Sequence, residues 1–182
     1  MNGFMSVFKR ELKAYFATPL AYVFLVVFLA LCGVLTFRDG FFQMRQASMQ
    51  VFFSRIPELF IFLIPAIAMR LWSEERRSNS IELLFSLPIT TTQAVMGKFL
   101  AAWSVLLLAL LLTFPMVMTV VYLGDPDWGP IVTGYVGSVL LAGAYLAIGS
   151  FFSILTRSQV IAFVLGILSC GILFYMGSPS AM

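Results

Sequence analysis

Acidic groups are scarce in this 182-residue sequence, with eight Asp and Glu against eleven Lys and Arg and no His. Asp125 and Asp127 flank Pro126 and form the pair most like a cation site. A calcium ion needs roughly six to eight oxygens, more than so short a turn supplies. Pro57, Glu58 and Pro65 stand in an apolar run where an ionisable group is ordinarily functional, so they are candidates for a bend or, for Glu58 and Pro65, a substrate-lining surface; a Glu58 simply solvated near the outer mouth is the alternative. The absence of His removes imidazole as a base or ligand. The sequence has no Gly-rich GxxxxGK loop for phosphates, and no Ser, Lys and acid grouping at reaction spacing. Cys32 and Cys170 both fall in apolar runs, where a small packing role is expected, with no metal-ligand spacing. The chain is therefore expected to hold no catalytic centre and no metal, and not to hydrolyse ATP itself.

The elements that must position these groups follow from composition. With 61% hydrophobic, 15% aromatic and 10% charged residues, the chain cannot cover a soluble globule with polar surface. Its mean hydropathy of +1.00 points to a bilayer. A crossing takes about 20 apolar helical residues, with every backbone polar group satisfied within its own segment. Five apolar windows are predicted as transmembrane helices, at 19–37, 56–72, 99–123, 131–155 and 159–176. The fold class is all-α integral membrane, one transmembrane domain over 1–182. The C-terminal 177–180 stretch reads as a loop, so a sixth helix is expected and missing from this sequence.

Positive charge near helix ends stays on the cytoplasmic side. If the five helices alternate, Lys9, Arg10, Lys13, Arg70, Arg76, Arg77, Lys98 and Arg157 share one side, and Arg38, Arg45 and Arg55 the other. The N-terminus and the 73–90 insert are thus expected in the cytoplasm. A cleaved signal peptide fits poorly, because the basic region is long and Leu29-Ala30-Leu31-Cys32 lacks a small residue before its cysteine.

Residues 4–17 read as an interfacial amphipathic helix. Phe4, Phe8, Leu12, Tyr15 and Phe16 gather on one side; Ser6, Lys9, Arg10 and Lys13 gather on the other. Glu11 falls within the apolar arc, where a carboxylate without a counter-charge is expensive to desolvate. Two readings stay open: a solvated helix-end carboxylate, or a structural pair with Arg70, Arg76 or Arg77. Gly134, Ser138 and Ala142 recur every four residues, with Gly143 and Ala147 nearby, so the fourth membrane helix is expected to approach a neighbour closely.

The 73–90 insert carries Glu74-Glu75-Arg76-Arg77, then Ser78-Asn79-Ser80, where Asn79 or Ser80 can cap a short helix with Glu82 in its first turn. Ile81, Leu84 and Phe85 give that helix an apolar edge, and Pro88 ends it. Two turns are marginal alone, so a partner or tertiary contacts must hold them. An apolar edge with ionic flanks suits a socket on another protein.

Glu74-Glu75-Arg76-Arg77, Ile81-Glu82-Leu83-Leu84, Leu87-Pro88 and Gly97-Lys98 resemble the coupling region of type-2 ABC exporter membrane subunits, the ABC-2 permease family. Lys9-Arg10-Glu11-Leu12, Tyr15-Phe16, Pro19, Ala21-Tyr22-Val23, the 124–130 turn and Leu146-Ala147-Ile148-Gly149 are most similar to its gliding-motility-type permeases. Asn79 and Ser80 stand where Gly-Thr is common, and the sixth helix and a re-entrant outer hairpin are absent.

The resemblance implies a bacterial inner-membrane permease, N-terminus cytoplasmic, whose Glu74, Glu75, Arg76, Arg77, Ser80, Ile81, Glu82, Leu83, Leu84, Phe85 and Pro88 dock on a separate cytoplasmic ABC ATPase. Lys9, Arg10, Glu11 and Lys13 belong to the interfacial helix beside that contact. ATP and Mg reside on the ATPase, and this chain binds no cofactor. Further partners implied are the bilayer, a second permease chain, identical or related, and an auxiliary extracytoplasmic subunit; nucleic acid is not among them. The pathway would run between the two chains, lined largely by the second and fifth helices. A non-transporting scaffold that recruits a cytosolic partner is the alternative. A channel is disfavoured because no helix carries a repeating polar stripe.

Overall fold

A computed structural model describes residues 3–38, 48–77 and 90–177. The described residues form eight helices and no strand: α1 (Gly3–Ala17), α2 (Pro19–Arg38), α3 (Gln50–Ala68), α4 (Arg70–Arg77), α5 (Thr91–Leu111), α6 (Phe114–Leu123), α7 (Trp128–Leu155) and α8 (Gln159–Met176). Five stretches are long and apolar enough to cross a membrane: Ala21–Arg38, Gln50–Ser73, Thr91–Leu123, Trp128–Leu155 and Gln159–Met176. The chain is thus an all-α integral membrane protein. The second and third spans start earlier than the apolar windows at 56 and 99. Polar residues such as Gln50, Gln93 and Lys98 extend those helices beyond the purely apolar residues, because backbone hydrogen bonding does not stop where hydropathy falls.

The bundle is built around α3, which packs on α2, α7 and α8. Phe28 of α2 stacks on Phe60 of α3 with ring centroids 5.8 Å apart, and both are buried. Small residues set the approach of α7. A Cβ built on Gly149 would lie 2.5 Å from that of Ala68, and one on Gly134 would lie 2.6 Å from the Phe53 ring. On its other side, Gly143 leaves room for Trp103 of α5, whose indole Nε1 donates to the Val139 carbonyl at 3.3 Å. The expected small-residue stripe therefore packs within this chain, where close approach gains dispersion contacts that lipid tails would not supply.

Two interruptions divide long spans. Pro115, at the start of α6, has no N–H to donate to the preceding turn, so α5 ends at Leu111. Thr113 fills the gap: its hydroxyl donates to the Leu110 carbonyl at 2.6 Å and lies 2.8 Å from the Tyr135 hydroxyl. The second interruption, at Met69 between α3 and α4, bears on the site below. The start of α5 carries a capping box in which the Thr90 hydroxyl accepts from the Gln93 N–H at 3.3 Å and Gln93 Oε1 accepts from the Thr90 N–H.

Candidate functional site

Helix α1 forms because its apolar residues recur at helical spacing, and the face they make docks on α5 and α2. Val7 is buried against Gly97: a Cβ on Gly97 would stand 2.9 Å from Val7 Cγ1. Leu12, Tyr15 and Phe16 pack against the core, while Lys9 and Lys13 on the opposite face are exposed. Docking of this face carries Glu11 inward, one turn beyond Val7.

The residue that meets Glu11 is Lys98 of α5. Its side chain is 3% exposed, and its Nζ lies 3.3 Å from Glu11 Oε1 and 2.9 Å from Glu75 Oε1 of α4. It also donates to the Leu71 carbonyl at 3.2 Å and sits 5.3 Å over the Trp72 ring. An ammonium has three donors, and three acceptors from α1 and α4 take them. Arg10, half exposed, lies 2.8 Å from Glu11 and 4.0 Å from Glu75. Of the two readings left open for Glu11, the structure bears out the structural pair, with partners the sequence did not single out. Lys98 and Arg10 hold Glu11, while Arg76 Nη1 is directed to the Leu155 carbonyl of α7 at 3.4 Å. Arg70 joins Glu11, Glu75 and Lys98 in lining a cavity of about 320 Å³ between α1, α4 and α5.

Burial explains why these charges gather. An ammonium moved away from water is costly unless paired and fully hydrogen-bonded, and two carboxylates close together are costly unless a cation stands between them. Lys98 meets both conditions, so three helices are tied at one point. The predicted coupling segment, 73–90, begins within α4, so the expected docking of Glu75 on a partner is corrected to an ion pair inside the chain.

Of that segment, Ser80, Ile81, Glu82, Leu83, Leu84, Phe85 and Pro88 lie outside the described residues. Glu74 and Arg77 contribute only their backbone to the description of α4, whose Glu75 and Arg76 have the contacts above. On α3, Arg55 and Glu58 pair at 3.0 Å one turn apart, with side chains 37% and 46% exposed. Pro65 does not share that exposure. It is fully buried, and a Cβ on Gly166 of α8 would lie 3.0 Å from its ring, so the expected lining role is corrected to internal packing. Asp127 caps α7, its Oδ1 accepting from the Gly129 N–H at 3.0 Å.

Sequence reasoning missed two residues. Lys98 enters the sequence reading only through charge asymmetry and the Gly97-Lys98 part of the resemblance, although a Lys at the edge of an apolar window needs a counter-charge. Ser153 of α7 is fully buried and bonds to backbone around Met69, with no signal beyond being a small polar residue in an apolar helix.

A family model described as ABC-2 family transporter protein matches residues 5–181. The chain belongs to the ABC-2 transporter family. An ABC-2 protein of this kind is a permease component of an ABC transporter, which implies an ATPase partner and a multi-pass membrane setting. Neither a curated protein nor a solved structure matches the chain.

Proposed function

We propose that this ABC-2 permease is the membrane subunit of an exporter, driven by a separate cytoplasmic ATPase that grips the segment following α4, since Ser73 and Glu75 are already held inside the chain. The observation that carries the reading is the buried Lys98 ammonium bridging Glu11 of α1 and Glu75 of α4. It stiffens the base from which the coupling segment leaves, and a rigid base is what a subunit needs to pass on a partner's motion. A loop with no such task has no need of a desolvated charge cluster beneath it, since three apolar residues would pack there at less cost.

In this reading ATP and Mg bind only the ATPase, and Ser80, Ile81, Glu82, Leu83, Leu84, Phe85 and Pro88 make the contact with it. The N-terminus faces the cytoplasm of a bacterial inner membrane, two permease chains share a pathway, and the exposed Arg55–Glu58 pair lies along it. The subgroup nearest in character is the gliding-motility type, and an auxiliary extracytoplasmic subunit fits that setting.

The test is to co-express the permease with a candidate ATPase and measure recovery and turnover. Glu82→Lys and Leu84→Asp are expected to lower both by roughly tenfold or more, as loss of a central contact does. Unchanged recovery and turnover in both variants would sink the coupling assignment and favour a scaffold. Labelling of cysteines placed in 78–89 by a membrane-impermeant reagent, from the cytoplasmic side only, tests the orientation.

A further inference from the structure

The interruption between α3 and α4 has an external cause. In a continuous helix the N–H groups of Trp72 and Ser73 would turn to the carbonyls of Ala68 and Met69. Here both donate to the hydroxyl of Ser153, at 3.0 and 3.2 Å, and that hydroxyl in turn donates to the Met69 carbonyl at 2.9 Å. The Met69 carbonyl also accepts from the Ser73 hydroxyl. Pro65, the obvious suspect for a break, lies inside α3, which runs on past it to Ala68; the bond its missing N–H forfeits is to Ile61, two turns before the break. A side chain from α7 has been inserted into the hydrogen-bond ladder, one of the recognised causes of a helix break.

Three features make this a clamp rather than a chance contact. Ser153 and Ser73 are both fully buried, so water does not compete for the bonds. One hydroxyl uses its donor and both acceptor sites. Gly149, one turn before Ser153, lets α7 come close enough to Ala68 for the hydroxyl to reach. Further along α4, Arg76 reaches the Leu155 carbonyl, so α4 is tied to the same end of α7 a second time.

We propose that Ser153 is a positioning residue that fastens α4 to the C-terminal end of α7, so that motion entering through α4 is delivered to α7 as well as along α3. The role in transmission rests on the coupling function proposed above; the clamp does not.

The experiment uses the full chain in lipid nanodiscs, with and without its ATPase. Ser153→Cys keeps nearly the same shape but offers a weak acceptor, and Ser153→Ala removes the acceptor altogether. In both, hydrogen exchange over residues 70–77 is expected to quicken roughly tenfold relative to the native chain. Ser150→Ala serves as control, because its hydroxyl bonds only within α7, to the Ala147 carbonyl. In the complex, Ser153→Cys should leave ATPase affinity within about twofold while permease-dependent stimulation of turnover falls roughly tenfold. Unchanged exchange over 70–77 in Ser153→Cys overturns the clamp. Quickened exchange with full stimulation overturns the positioning role. A native chain that recruits no ATPase refutes the coupling function alone, and the exchange comparison still decides the clamp.

Discussion

Lys98→Met puts the charge cluster to a quantitative test. Two unit charges about 3 Å apart attract by about 5 kcal/mol at an effective dielectric near 20, and Lys98 has two such neighbours, at 2.9 and 3.3 Å. Desolvation of the ammonium offsets much of that gain, so the intact cluster contributes little net stability compared with an apolar one. Removing only the cation is different. Glu11 and Glu75, with side chains 16% and 19% exposed, would face each other across an apolar methionine. Breaking a buried pair in this way costs about 3–5 kcal/mol. Arg10 cannot replace Lys98, because an ion pair of a half-exposed guanidinium contributes under about 1 kcal/mol. The strain is relieved by undocking α1, and 3 kcal/mol shifts the docked-to-undocked ratio by roughly a hundredfold. A disulfide reports docking directly. A Cβ at position 97 stands 3.1 Å from that of Val7, so the pair Val7→Cys with Gly97→Cys needs only a small outward shift to reach disulfide geometry. Its oxidation rate should fall by an order of magnitude or more with Lys98→Met, and return towards the starting rate when Glu11→Gln and Glu75→Gln are added. Equal rates with and without Lys98, or a triple variant no better than the single one, would refute the argument.

Other substitutions test the packing and the caps. Gly149→Val and Gly166→Val should each destabilise the fold by about 1–3 kcal/mol, read as a lower midpoint of thermal unfolding in detergent. Gly137→Ala, where an added Cβ meets nothing within 4 Å, should leave that midpoint unchanged or raise it. Thr90→Ala removes the capping box of α5 and should cost about 1 kcal/mol, seen as faster amide exchange at residues 91–94. Tyr135→Phe removes one hydroxyl partner while Thr113 keeps its bond to Leu110, so the loss should stay near 1 kcal/mol in the same unfolding assay.

Much of the architecture was legible because membrane insertion is a one-dimensional constraint. Each crossing must satisfy its own backbone and match the bilayer thickness, so runs such as 131–155 announce a helix without reference to any other part of the chain. Helix ends were less legible. Hydropathy cannot see that Gln50 or Gln93 continues a helix whose apolar stretch has not begun, nor that Pro115 and Ser153 divide spans that read as continuous.

The amphipathic face of α1 was equally readable, and with it the awkward place of Glu11, since both follow from the 100° step between neighbours. Its partner was not readable. Arg70, Arg76, Arg77 and Lys98 are all cations near the same predicted boundary, and only the docking of Val7 against Gly97 selects among them. Pro65 and Glu58 differ for the same reason. They lie two turns apart on the same side of one helix, and how far along that side α7 and α8 cover it is a property of the packed bundle. By itself, the sequence determined that the chain is helical and membrane-embedded, with one polar insert at 73–90. Tertiary structure alone decided that Lys98 and Ser153 hold the base of that insert, because short-range forces between charges and hydroxyls act only after distant segments have been brought within about 3 Å.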